Sequence, residues 1–124
     1  MNSGNPIVLC TNALFYVNNQ GSIEARYYKR ILAGAPGEMD HKFYSSGDQP
    51  TLFNINGIKC GMLICHEWRY PEFYREYKGL GARIIFHSWF DGGFTEEEYK
   101  KVGEAEGELI VGAVRGYAAN NYLW

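Results

Sequence analysis

The sequence predicts an α/β fold from three observations: two hairpin-forming strand pairs, a strand–turn–helix–strand order after the second pair, and a long helix opened by a capping box. With 124 residues and 46% hydrophobic content, the chain is within the range of one domain able to bury a core. It contains no internal repeat, low-complexity run or linker that would divide it.

Asn12–Val17 (NALFYV) and Ile23–Leu32 (IEARYYKRIL) are rich in aromatic and β-branched residues, and Asn18-Asn19-Gln20-Gly21 between them tolerates positive φ. This segment reads as a β-hairpin with Lys29 near its end. Ala33–Pro50 is loaded with Gly, Pro, Ser and Asp and has no period, so a long surface loop is expected. Thr51–Ile55 and Ile58–Ile64 flank Asn56-Gly57, the dipeptide that best suits a type I′ turn, and form a second hairpin.

The second strand ends at Cys65. Pro71 then suits the first position of a helix and Glu72 its first turn, while Phe73, Tyr77 and Leu80 recur at helical spacing. Gly79 and Gly81 offer stops before a buried strand at Arg83–His87. After the Asp91-Gly92-Gly93 loop, Thr95 and Glu98 form a capping box that starts a helix running to about Ala119. Its expected inner face is Val102, Ala105, Leu109, Ala113 and Gly116. Gly103, Gly107, Gly112 and Gly116 each cost about 1 kcal/mol relative to Ala, which suggests either close packing on a sheet or a dimer seam. Tyr122–Trp124 would begin one more strand.

Composition excludes some function classes. Twelve basic against 14 acidic residues give a net charge of -2, so nothing favours nucleic acid or an anionic membrane as partner. The longest apolar stretches, Ile84–Phe86 and Met62–Cys65, are far too short to cross a bilayer, and no basic stretch precedes an apolar N-terminal core. Cys10, Cys60 and Cys65 are odd in number and lack metal-ligand spacing, so a soluble protein of the reducing cytoplasm without metal or cofactor is expected. The ten tyrosines suit either a filled core or an association surface.

Gly57–Glu72 (GIKCGMLICHEWRYPE) carries the chemistry. It sets a cysteine at the end of a buried strand, just before a turn into a helix. A thiol attacks as thiolate, a form favoured by the positive end of a helix and by a nearby cation. Cys60, inside the same strand, has no polar neighbourhood and reads as packed core. Adjacent residues on extended backbone point apart, so His66 is expected to act through its backbone N–H rather than in a Cys–His dyad. His87 could meet Cys65, but a lone histidine is more often a pocket wall or a satisfied core residue. A zinc site from His66, Glu67, His87 and Asp91 is not required by their spacing.

The run ICHEWRYPEFYREYKGLGARII, Ile64–Ile85, resembles the nucleophile region of the nitrilase superfamily, the carbon–nitrogen hydrolases. NALFYVNNQGSIEARYYKRIL resembles that family's strand pair ending in Lys-x-x-Leu, and AANNYLW its helix terminus, with Asn120 where Glu is usual. The resemblance covers the chain from about Thr11 to Trp124. It implies a four-layer α/β/β/α sandwich, of which residues 1–124 supply a middle part truncated at both ends.

The resemblance also implies hydrolysis of an amide, carbamoyl or nitrile carbon–nitrogen bond through a thioester on Cys65. Lys29, which alone would read as an ordinary strand-end charge, takes the catalytic lysine's place. The His66 N–H completes an oxyanion site. Glu38 matches a second glutamate that helps hold lysine and substrate, and His66, Glu67 and Trp68 line or support the pocket. The family's general-base glutamate lies upstream of the lysine. No residue of Met1–Leu14 is acidic, Glu24 is on the wrong strand, and the chain alone is therefore expected to be inactive. The alternative is a non-catalytic homologue serving as a binding or assembly module. A small-molecule substrate and a homo-oligomer are the implied partners.

Overall fold

The structure is a computed structural model that describes residues 9–90 and 94–124. The Asp91-Gly92-Gly93 loop, including the Asp91 of the zinc alternative, lies outside the described residues. Strands β2 (Ala13–Val17) and β3 (Ile23–Tyr28) form the first antiparallel hairpin. Asn18 shapes its turn, its side-chain oxygen accepting from the N–H groups of Gln20 and Ser22, both at 2.9 Å. The second strand stops at Tyr28 rather than Leu32: Lys29 N–H makes the last bond to the first strand, at the Asn12 carbonyl, and the next N–H groups, of Arg30 and Ile31, go to the Glu67 carboxylate instead.

The 33–50 segment is not a bare loop. It contains a 3-10 turn at Met39–Lys42 and strand β4 (Tyr44–Ser45), which pairs in parallel with β1 (Cys10–Thr11). Strands β5 (Leu52–Ile55) and β6 (Ile58–Ile64) form the second hairpin. Asn56 and Gly57 have φ of 50° and 81°, as a type I′ turn requires.

Strand β7 (Ile84–Ser88) lies parallel to β6, joined to it through helix α1 (Pro71–Gly79). That helix ends in a Schellman motif: Ala82 N–H donates to Tyr77 O, and Gly81 N–H, at φ 88°, to Lys78 O. Tyr77 lies flat on β6 at Gly61, where a Cβ would meet its ring at 2.5 Å. Its hydroxyl donates to Met62 O. The Tyr16–Phe53 ring stack, at 4.7 Å, ties the first hairpin to this sheet.

The capping box at Thr95 forms as expected, with Glu98 N–H donating to Thr95 Oγ1 and Thr95 N–H to Glu98 Oε2. It opens α2 (Glu96–Glu98), a π-helical turn follows at Tyr99–Gly103, and α3 (Glu104–Asn121) continues the same rod. The expected inner face is corrected by one residue: Gly103 and Ile110 are buried, whereas Val102 and Leu109 are exposed. Ile110 and Tyr117 bury more apolar surface than the small residues do, and the Tyr117 ring sits 5.1 Å from that of Tyr74 on α1. The glycines do not mark close packing on a sheet. A Cβ at Gly107, Gly112 or Gly116 would meet nothing, and only Gly103 is crowded, by Tyr99. Tyr122–Trp124 is not a strand: Tyr122 caps the last helix in a left-handed conformation, and Trp124 alone exchanges backbone hydrogen bonds with Arg83 and Ile85 in the parallel pattern beside β7. No helix among the described residues is long and apolar enough to cross a membrane.

Candidate active site

Cys65 sits where β6 ends and a 3-10 turn, Cys65–Arg69, begins. Its φ is 49°, a left-handed conformation that lifts the residue out of the strand direction. The opening N–H groups of such a turn have no partner inside it, and that of His66 is among them. Cys60 is fully buried in the same strand, and burial pushes its thiol pKa up.

Glu67 holds this corner together. It is fully buried, and its Oε2 accepts from Ile64 N–H at 2.7 Å, one residue before the cysteine. Its Oε1 accepts from Tyr27 Oη and Arg30 N–H, both at 2.7 Å, and from Ile31 N–H at 3.2 Å. One carboxylate thus joins the backbone just before Cys65 to the backbone just after Lys29. Burial pushes the Tyr27 hydroxyl pKa up, and the Glu67 charge adds to that, so Tyr27 serves as a donor. Arg30 packs over the Phe73 ring at 4.0 Å and pairs with Glu76 at 2.7 Å, fixing α1 against the same corner.

Lys29 follows directly from β3, and strand alternation brings Ala25, Tyr27 and Lys29 to one inward face. The lysine is 2% exposed, and its Nζ meets Asp40 Oδ2 at 2.5 Å. Burial alone would raise the Asp40 carboxyl pKa, but the Lys29 ammonium and Ala33 N–H outweigh it and hold that pKa below the usual carboxylate range. The contact expected of Glu38 is made by Asp40 instead: Glu38 is exposed at the start of the 3-10 turn, which directs the residue two positions on toward the lysine.

Cys65, Lys29 and Asp40 line one cavity of about 420 Å³. Asn12, Tyr44 and Ser88 add polar groups, and Met39, Ile64, Trp89 and Phe90 supply apolar wall. Among the described residues, Asp40 is the single acidic one in that lining. A second cavity, of about 160 Å³, shares Cys65, Ala33, Met39, Trp89 and Phe90 with the first and is also lined by His66, Trp68, Arg69, Glu106 and Ile110. The His66 ring packs edge-on to Tyr70 rather than on the thiol, and burial, with Arg69 and Lys29 nearby, holds its pKa low. Trp68 is half-buried with the Arg69 guanidinium 4.7 Å over its ring. Glu24 is exposed and bonded to Asn18, far from this chemistry.

Sequence reasoning missed Asp40, which lies in an aperiodic loop, and the roles of Tyr27 and Arg30. For Tyr27 a signal existed, since it shares the inward alternation with Lys29.

The family model for carbon–nitrogen hydrolases matches residues 2–113. The chain belongs to this family. Among relatives of this carbon–nitrogen hydrolase, the 2-oxoglutaramate amidase of Bacillus subtilis is 31% identical over 77 residues, 62% of this chain and 29% of that protein. The deaminated glutathione amidase of Yersinia enterocolitica is 28% identical over 116 residues, 87% of this chain and 37% of its own. The crystal structure of a carbon–nitrogen hydrolase from Helicobacter pylori G27 superposes with a TM-score of 0.76 at 25% identity, covering 93% of this chain and 39% of that one. An amidase from Nesterenkonia sp. shares the fold with a TM-score of 0.62 at 20% identity, over 86% of this chain and 36% of that one. The mixed α/β fold expected from the motifs is thus the family's, and the chain spans well under half the length of the relatives it matches.

Proposed function

We propose that this carbon–nitrogen hydrolase cleaves a small-molecule amide through a thioester on Cys65. The observation that carries the proposal is the shared cavity of Cys65 and Lys29, with Glu67 bonded to the backbone beside both. Cys65 Sγ attacks the amide carbon, and the carbonyl π electrons move to oxygen. Lys29 and the His66 N–H stabilise that oxygen, an effect of a few kcal/mol (~3) in comparable sites. Collapse breaks the carbon–nitrogen bond, the nitrogen leaves as ammonia or an amine after taking a proton, and water then cleaves the thioester to a carboxylate.

A carboxylate base must move the protons in both halves. Asp40 suits fixing the Lys29 ammonium, and that ammonium, by lowering the carboxyl pKa, makes Asp40 a poorer base. The resemblance assigns the base to a glutamate upstream of the lysine. Two similar proteins are named as amidases, which favours an amide over a nitrile or carbamoyl substrate. Three free cysteines accord with a cytoplasmic location, and the exposed Val102 and Leu109 on the outer face of the last helix accord with a homo-oligomer.

Mass spectrometry of the full-length protein incubated with simple amides tests the reading. The expected result is an acyl adduct on Cys65 that is absent in Cys65→Ala. No adduct across a broad amide and nitrile panel overturns the proposal in favour of a non-catalytic binding module.

A further inference from the structure

His87 plays no part in the reaction as written, yet it is bonded to the nucleophile's own backbone. Its ring is half-buried between α1 and the Cys65 corner, with Nε2 3.1 Å from the Cys65 carbonyl oxygen and Nδ1 2.7 Å from Tyr74 Oη. A carbonyl oxygen only accepts, so Nε2 carries the proton. In a neutral ring Nδ1 is then an acceptor, and the Tyr74 hydroxyl donates to it. Burial lowers the imidazole pKa, which favours the neutral ring, and, with Tyr117 and Glu67 nearby, raises that of the Tyr74 phenol, in keeping with the donors this geometry requires.

The Cys65 carbonyl and the His66 N–H are the two ends of one peptide group. A hydrogen bond donated to the carbonyl end polarises the amide, strengthens its N–H as a donor and fixes the plane in which that N–H points. Fixing matters here, because Cys65 holds a left-handed φ that its own side chain disfavours.

We propose that His87 is a positioning residue for hydrolysis: its Nε2–H, in a tautomer selected by Tyr74, orients and polarises the Cys65–His66 peptide whose N–H binds the developing oxyanion. This rests on the amide-hydrolysis reading above. It accounts for a tyrosine of α1 and a histidine of β7 bonded in series to one backbone carbonyl.

The test compares two reactions of Cys65 in the full-length protein, followed on the Cys65 peptide by mass spectrometry. Acylation by a primary amide develops an oxyanion, whereas methylthiolation by methyl methanethiosulfonate does not. His87→Leu is expected to slow acylation on the order of ten-fold or more, with methylthiolation held within about two-fold. His87→Gln, whose amide N–H can still reach the carbonyl, recovers acylation in part, and Tyr74→Phe gives an intermediate loss. Acylation of His87→Leu at the wild-type rate overturns the proposal. So does a parallel fall in both reactions, which would mark a merely structural role. If His87→Leu does not fold, Tyr74→Phe decides: wild-type acylation in that variant overturns the role. Failure of the wild type to acylate with any amide overturns the hydrolase reading itself, and the His87 role with it.

Discussion

Glu67 accepts a hydrogen bond from the N–H of Ile64 at 2.7 Å while its other oxygen accepts from the N–H of Arg30, so one buried side chain spans the two segments that deliver Cys65 and Lys29. Removing it strips the partner from Tyr27 Oη and from the N–H groups of Arg30, Ile31 and Ile64. Each buried donor left without a partner costs about 1–3 kcal/mol, so Glu67→Ala should destabilise the fold by at least about 3 kcal/mol. Glu67→Gln turns one acceptor oxygen into a donor facing donors and should fail similarly. Thermal unfolding checks both, and a melting temperature within a degree or so of wild type would refute the tether.

The sequence made much of this corner legible. The strand–Cys–turn–helix order is written in local signals: Asn56-Gly57 for the turn, Pro71 for the helix start, Gly81 for its stop. Each of these acts within a few residues, and each forms as expected. What stayed hidden depends on contacts distant along the chain. Glu67 and Tyr27 are 40 residues apart, and Lys29 and Asp40 meet only because an aperiodic loop folds back. The last helix shows a third limit. Its buried face lies one residue from the one that spacing predicts, because spacing cannot tell which of two adjacent apolar rows buries more area, and Ile110 and Tyr117 win that competition over Leu109 and Gly116.

Lys29 and Asp40 make a separable prediction. Lys29→Met removes the cation from the cavity but leaves Cys65 in place, so acylation by amides should drop by about 100-fold or more while methylthiolation of Cys65 persists. Asp40→Asn keeps the shape but releases the ammonium, and a smaller loss of acylation is expected. The folded-state pKa of Asp40 is depressed, so its contribution to stability is present above the unfolded value, about 3.9, and is lost as pH falls through the folded one. Wild type should therefore lose stability in that acid window and Asp40→Asn should lose less, as chemical denaturation at stepped pH will show.

A second pH effect has its own window. His87 and His66 both have pKa values lowered chiefly by burial, so the unfolded chain binds protons more readily than the folded one just below the unfolded value of about 6.5. Stability rises with pH wherever the unfolded state holds more protons, so acidification from about 6.5 downward should destabilise the protein, reversibly and before the carboxylate window is reached. His87→Gln removes one of the two groups and should flatten part of that slope. An unchanged slope would mean that the half-buried ring of His87 is not kept neutral by the fold.

Glycines on the two elements predict opposite signs for the same substitution. At Gly61 an added Cβ would lie 2.5 Å from the Tyr77 ring, whose hydroxyl is bonded to Met62 O and to Thr51 N–H. The ring cannot retreat without giving up those bonds, so Gly61→Ala should cost about 1–3 kcal/mol, as overpacking does. At Gly107 and Gly112 the same Cβ would meet nothing, and both lie inside a helix. There Ala removes backbone freedom from the unfolded chain and should add about 0.4–1 kcal/mol each. Chemical denaturation of the three single variants measures the contrast. A gain at Gly107 and Gly112 with unchanged self-association also shows that these positions stay open in solution, whereas a loss at either, accompanied by a shift toward monomer in sedimentation, would place that face in contact with a second copy.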